Sequence, residues 1–134
     1  MNQRLYLLDT DVSINYLRGS VEVTRKIAEV GLENFLLSEI TVAELKYGAA
    51  KSNRPDANMR QAETFIGEFG IVPIYDALDV FASEKARLEK LGLRLDDFDL
   101  LIGATAIHYG FVLVTNNVKH FKRMQNLSIE TWTT

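Results

Sequence analysis

Aspartate, glutamate and asparagine recur at four places in this 134-residue chain, each beside an apolar run. Asp9 and Asp11 follow Leu5 to Leu8, Glu39 and Glu44 follow Phe35 to Leu37, and Asn116 and Asn117 follow Phe111 to Val114 and Thr115. Asp96, Asp97 and Asp99 open the longest apolar stretch, Leu100 to Ile107. Three places bring carboxylates and the fourth brings amides. Carboxylates gathered on one spot repel each other and take up protons unless a cation neutralises them. Oxygen donors without His or Cys suit Mg²⁺ or Mn²⁺. Such ions act chiefly on phosphate esters, by polarising a phosphoryl oxygen and acidifying a water. The chain has no Cys, which excludes thiolate nucleophiles, disulfides and Cys-based metal sites. A chemistry that needs no protein nucleophile fits this inventory.

Each place also has a structural reading. Asp9 or Asp11 can cap a helix starting near Val12. Thr41-x-x-Glu44 matches a capping box, and for that glutamate alone the structural reading is preferred. Asp96 and Asp99 sit where acids favour a helix N-terminus. Asn117 can be a turn residue. In combination these readings weaken, because capping one helix does not need three acids in four positions.

The elements that must position these groups alternate along the chain. Short apolar runs at 5–8, 35–37, 71–74, 111–114 and 127–130 read as strands. Helices are expected over 12–17, 21–30, 40–50, 59–69, 76–91 and 100–109, the last apolar nearly all round and therefore buried. A short basic turn is expected after Asn117. The alternation implies a three-layer α/β/α fold, a mainly parallel sheet flanked by helices, as a single domain over 1–134. In such sheets the working site lies off the carboxyl ends of the strands, where the first, second and fourth clusters fall. Phe65, Phe69 and Phe81 are expected in the core, and His108 as a packed or interface residue.

Hydrophobic residues make up 47% and charged residues 25%, as in ordinary globular proteins. The net charge of -3 excludes a whole-surface basic footprint for nucleic acid. A local patch at Lys119, His120, Lys122 and Arg123 can hold a phosphate backbone, or be a solvated turn. Lys46, Lys51 and Arg54 can form a second patch, but a solvated helix face is the preferred reading there. No run reaches the roughly 20 apolar residues of a membrane helix, and residues 1–11 lack an export signal region, so a cytoplasmic location is expected.

Four segments together carry a resemblance. Leu7-Leu8-Asp9-Thr10-Asp11-Val12, the run from Ser38 to Gly48, Asp99-Leu100-Leu101-Ile102-Gly103-Ala104, and the run from Val114 to Phe121 resemble the successive motifs of PIN-domain proteins. More narrowly they resemble the VapC toxins of bacterial type II toxin–antitoxin systems, over nearly the whole chain. The resemblance implies a metal-dependent endoribonuclease acting on structured RNA, commonly tRNA or rRNA. It places Asp9, Glu44 and Asp99 as principal acids, with Asp9 and Asp99 holding Mg²⁺ directly. The fourth family position, often Asp, falls on Asn117, whose amide brings no charge and weighs against a tightly held second metal. Asp96 and Thr115 are candidate supporting residues, and of the additional acids Asp96 and Asp97 one is expected to compensate, Asp96 ahead of Asp97 because it lies three residues from Asp99. The resemblance further implies a homodimer and a VapB-like antitoxin partner that blocks the pocket and itself binds operator DNA. An apolar groove between the early helices would suit an antitoxin helix or a dimer partner.

Two rivals remain open on the sequence. Asp9-x-Asp11 also resembles the first motif of haloacid-dehalogenase-type phosphatases, with Asp9 as nucleophile, but the chain is short for that fold. A non-catalytic module, either a receiver or a PIN-like binding domain, is the second. Val114-Thr115-Asn116-Asn117 lacks the Lys a receiver needs.

Overall fold

The computed structural model describes residues 4–132. Five short strands form one sheet: β1 (Tyr6–Leu8), β2 (Phe35–Ser38), β3 (Gly70–Val72), β4 (Val112–Val114) and β5 (Ser128–Glu130). Their spatial order is β3-β2-β1-β4-β5, and every neighbouring pair is parallel. Parallel pairing forces each connection across a face of the sheet, so helices cover both sides.

The period-2 geometry of the central strands divides the core. Tyr6, Leu8, Phe35, Leu37, Val112 and Val114 point to one face and pack with Val12, Val23, Ile27, Leu45 and Phe65. Leu7 and Leu113 point to the other and meet Ile40, Leu88, Leu100, Ile102, Ala106 and Phe121. The first cluster is covered by α1 (Thr10–Leu17), α2 (Val21–Val30), α3 (Glu39–Ala50) and α4 (Pro55–Ile66). The second is covered by α5 (Leu78–Lys90), α6 (Asp97–Tyr109) and α7 (Val118–Phe121), with Ile40 at the start of α3 also reaching it. Both faces of β1 are buried, as an apolar run without alternation requires.

Several expectations change on the structure. Of the two candidate caps of α1, Asp9 takes the role, its carboxylate accepting from Thr10 N at 2.8 Å. α3 is capped by Ser38, which accepts from Ile40 N at 3.0 Å, so Thr41 and Glu44 form no capping box. α4 begins at Pro55, four residues before the apolar pattern starts, because Pro suits the first helical turn. The expected basic turn is α7, a single helical turn. His108 is exposed, its ring edge-on to Tyr109. Phe65 and Phe69 are buried and Phe81 half-buried, as expected. No described helix is long and apolar enough to cross a membrane.

Candidate active site

β1 lies between β2 and β4, and its own connection through α1 and α2 leads to β2. The chain leaving β1 and the chain leaving β4 therefore diverge, which opens a crevice at their carboxyl ends. A backbone bond from Asp9 N to Val114 O (2.9 Å) carries the ladder one step past β1 and sets Asp9 at the crevice floor. Four acids reach the resulting cleft: Asp9, Asp11, Glu44 and Asp99 line it with Thr10, Ile14, Asn116 and Asn117. Its volume is ≈ 520 Å³.

Each side chain is delivered by a different local device. Asp9 is the residue at which strand turns into helix, and only 4% of it is exposed. One carboxylate oxygen accepts from Thr10 N, and the other accepts from the buried Thr115 hydroxyl at 2.6 Å. Thr115 Oγ1 in turn accepts from Asn117 N at 2.9 Å, so one hydroxyl ties the end of β4 to the acid and starts the turn into α7. Glu44 lies on the second turn of α3, where its Oε1 accepts from the Thr10 hydroxyl at 2.6 Å. Thr10 Oγ1 lies 3.1 Å from the Thr41 hydroxyl; with its own proton given to Glu44, it receives that of Thr41. Asp99 projects from the first turn of α6, which Asp96 caps by accepting from Phe98 N at 3.1 Å.

The electrostatics follow from burial and crowding. Desolvation, reinforced by the Asp11 charge, pushes the Asp9 carboxyl up to about 7 despite the opposing bonds from Thr115 and Thr10. Desolvation also raises Asp11. Asp99 is pushed up to about 6 by desolvation, then by Asp96, Glu44 and Asp11. Asp11 Oδ2 accepts from Asn116 N at 3.3 Å, but Oδ1 is buried without a hydrogen-bond donor. An unsatisfied buried carboxylate oxygen among raised carboxyls needs a proton or a cation. The all-oxygen donor set fits a hard divalent ion. Among the described residues, however, no three His, Cys, Asp or Glu side chains are arranged to hold a metal in the positions they occupy here. Glu44 and Asp11 are turned to Thr10 and Asn116 instead.

The expected site residues thus divide. Asp9, Glu44, Asp99 and Asn117 line one cleft, and Thr115 supports it from beneath. Asp96 does not line it: it is exposed and spends its carboxylate on the helix cap. The fourth acid of the cleft is Asp11, which the sequence reading counted among the clustered carboxylates but, with Asp9, also as a candidate cap, and gave no place among the principal acids. The signal was its place two residues after Asp9, just past the carboxyl end of the first strand, where a parallel sheet puts its working site. Asn117 Oδ1 lies 2.5 Å from Nδ1 of the exposed His120. Lys119 and Lys122 are exposed on and just past α7, whereas Arg123 gives its guanidinium to the Arg94 carbonyl at 2.9 Å.

The family model described as "PIN domain" matches residues 6–127. The chain belongs to the PIN-domain family. Within it, ribonuclease VapC2 of Rickettsia felis is 32% identical over 131 residues, covering 96% of this chain and 98% of that protein. Ribonuclease VapC2 of Haemophilus influenzae is 35% identical over 131 residues, covering 95% and 97%. The tRNA(fMet)-specific endonuclease VapC of Salmonella typhimurium is 30% identical, covering 95% and 97%. The crystal structure of VapBC2 from Rickettsia felis bound to a promoter DNA fragment superposes on this PIN domain with a TM-score of 0.90 at 30% identity, over 96% of this chain and 99% of that one. That of DNA-bound VapBC from Salmonella typhimurium also gives 0.90 at 30% identity, covering 97% and 99%. These matches place this PIN domain among the VapC ribonucleases.

Proposed function

We propose that this PIN domain is the toxin of a VapBC-type toxin–antitoxin pair, a Mg²⁺-dependent endoribonuclease that cuts structured RNA, tRNA or rRNA, and so halts translation. The observation that carries this reading is the convergence of Asp9, Asp11, Glu44 and Asp99, from three separate stretches of chain, on one cleft. Mn²⁺ can substitute for Mg²⁺, since both take oxygen donors in similar geometry. A cation held here supplies Lewis-acid polarisation of a phosphoryl oxygen and acidification of water.

The chain's own groups do the rest. Asp9 and Asp99 are the direct ligands in this reading. The two donors on Asp9 occupy one lone-pair direction on each of its oxygens and leave others open. Glu44, held by the Thr10 hydroxyl, adds negative charge beside Asp99. Asp11 supplies the fourth charge, where the sequence had pointed to Asp96. Asn117 offers a neutral amide, which orients without adding charge. Lys119 and Lys122 hold the phosphate backbone, and Arg123 fixes the loop behind them.

The expected partners are a VapB-like antitoxin, which would carry the operator-DNA contact, and a second copy of this chain. The setting proposed is the cytoplasm. A phosphatase acting through a phosphoaspartate is the less supported reading, since the PIN-domain match spans residues 6–127. The test is to express the protein briefly and map new 5′ ends across total RNA, with Asp9→Asn and Asp99→Asn in parallel. Discrete cuts made only by the wild type support the reading. Cuts at the wild-type rate by either variant defeat the site assignment.

A further inference from the structure

Asn117 lines the acidic cleft with Asp9, Asp11, Glu44 and Asp99, and its amide could face them in either of two senses. The oxygen accepts, whereas the nitrogen donates two protons. The terminal torsion of an asparagine is soft and does not by itself choose between them. Here the choice is made by His120, which does not line the cleft. Asn117 Oδ1 lies 2.5 Å from Nδ1 of this ring, three residues on in α7. A carbonyl oxygen has no proton to give, so at that separation the proton sits on Nδ1 and the ring donates. The amide oxygen is thereby spent outside the cleft.

The main chain of Asn117 is tied as well. Its N donates to Thr115 Oγ1 at 2.9 Å, and its carbonyl accepts from Phe121 N at 3.2 Å. The NH₂ group is what remains for the cleft, and among the described residues nothing accepts from it. Turned over, the amide would set an acceptor among carboxylates. His120 itself is exposed and belongs to neither core cluster, so what its ring fixes is the amide.

We propose that His120 is a positioning residue, holding Asn117 so that the amide NH₂ donates to a non-bridging oxygen of the scissile phosphate. The inference rests on the ribonuclease reading of the cleft. It gives this lining position, where an aspartate would only accept, the opposite polarity. A donor aimed beforehand at the phosphoryl oxygens acts where charge develops in the transition state, and so bears on turnover more than on binding.

The test has a spectroscopic arm and a kinetic arm. Long-range ¹H–¹⁵N NMR of the metal-free protein at pH 8 reads which ring nitrogen of His120 carries the proton. Nδ1–H is expected, and a bare Nδ1 with the proton on Nε2 overturns the proposal. In the second arm, kcat and KM are measured in Mg²⁺ on whichever of bulk tRNA and rRNA the wild type cleaves. His120→Leu should lower kcat by up to about 100-fold, as for a misplaced group, with KM unchanged. His120→Lys, which can only donate, should recover most of that loss. His120→Asp, which can only accept, turns the amide over and should not. Wild-type kcat in His120→Leu, a loss confined to KM, or equal kcat in the Lys and Asp variants overturns the proposal. Cleavage by a wild type whose Nδ1 is bare sinks the positioning role and spares the ribonuclease reading. A wild type that cleaves neither RNA defeats that reading, and the role with it, whichever nitrogen carries the proton.

Discussion

Asp9 carries a structural duty and, in the function proposed, a chemical one. Its carboxylate caps α1, accepts the Thr115 hydroxyl, and lies almost wholly out of water among other acids. Those duties conflict, and the conflict is visible in a carboxyl raised to about 7. Asp9→Asn keeps a capping oxygen and removes the charge. Metal-dependent RNA cleavage should therefore vanish, while the metal-free protein unfolds at an equal or higher temperature at neutral pH. A lowered midpoint would show that the charge is not a burden on the fold. Thr115→Val tests the partner side. The lost bond goes to a charged group, so the cost is about 1.5–3 kcal/mol in urea unfolding. Because that bond holds the Asp9 carboxyl down, its titration, followed by carboxyl NMR, should move further up.

Among the elements, α7 and the loop after it are held from a distance. Glu84 on α5 is buried, with Oε2 accepting from Arg87 at 2.6 Å and Oε1 from Gln125 N at 3.3 Å. Arg87 also donates to the Arg123 carbonyl at 2.8 Å. One ion pair on α5 thus fastens the loop that follows α7, and so the end of the element carrying Lys119. Arg87→Leu leaves Glu84 buried without its cation. The expected loss is about 2–4 kcal/mol by urea denaturation, with RNA affinity falling more steeply than metal affinity. An unchanged midpoint would mean that the pair is not what holds the loop. Neither α7 nor this fastening was legible in the sequence, because a single turn from Val118 to Phe121 shows no helical period and an ion pair across elements leaves no spacing signal. The strand order was not legible in the sequence, whereas the parallel sheet and the buried α6 were. An apolar run such as Leu100 to Ile107 can only be interior, and the site's place at the strand ends follows from parallel pairing. That Asp9 both caps α1 and lines the cleft, and that Asp11 lines it while Asp96 does not, depends on the turn from strand to helix after β1 and on the cap of α6.

For the molecule as a whole, the acid cleft couples stability to pH in a direction opposite to that of an ordinary salt-bridged carboxylate. Asp9 and Asp99 have folded-state values of about 7 and about 6, above the 3.8 of an unfolded aspartate. Between about pH 4 and pH 7 the folded, metal-free chain therefore holds more protons than the unfolded one, and its stability falls as pH rises through that window. A divalent cation relieves the same repulsion, but only once the protons have left. Binding and proton release are thus linked, and affinity should climb with pH. In thermal melts the midpoint gained by adding Mg²⁺ should be slight near pH 5 and should grow steadily toward pH 8. Asp9→Asn should flatten that pH dependence and shrink the gain, because it removes the most strongly raised carboxyl. A Mg²⁺ effect that is the same at both ends of the range, or greatest in acid, would mean that the ion binds elsewhere on the surface and that Asp9 and Asp99 are not its ligands.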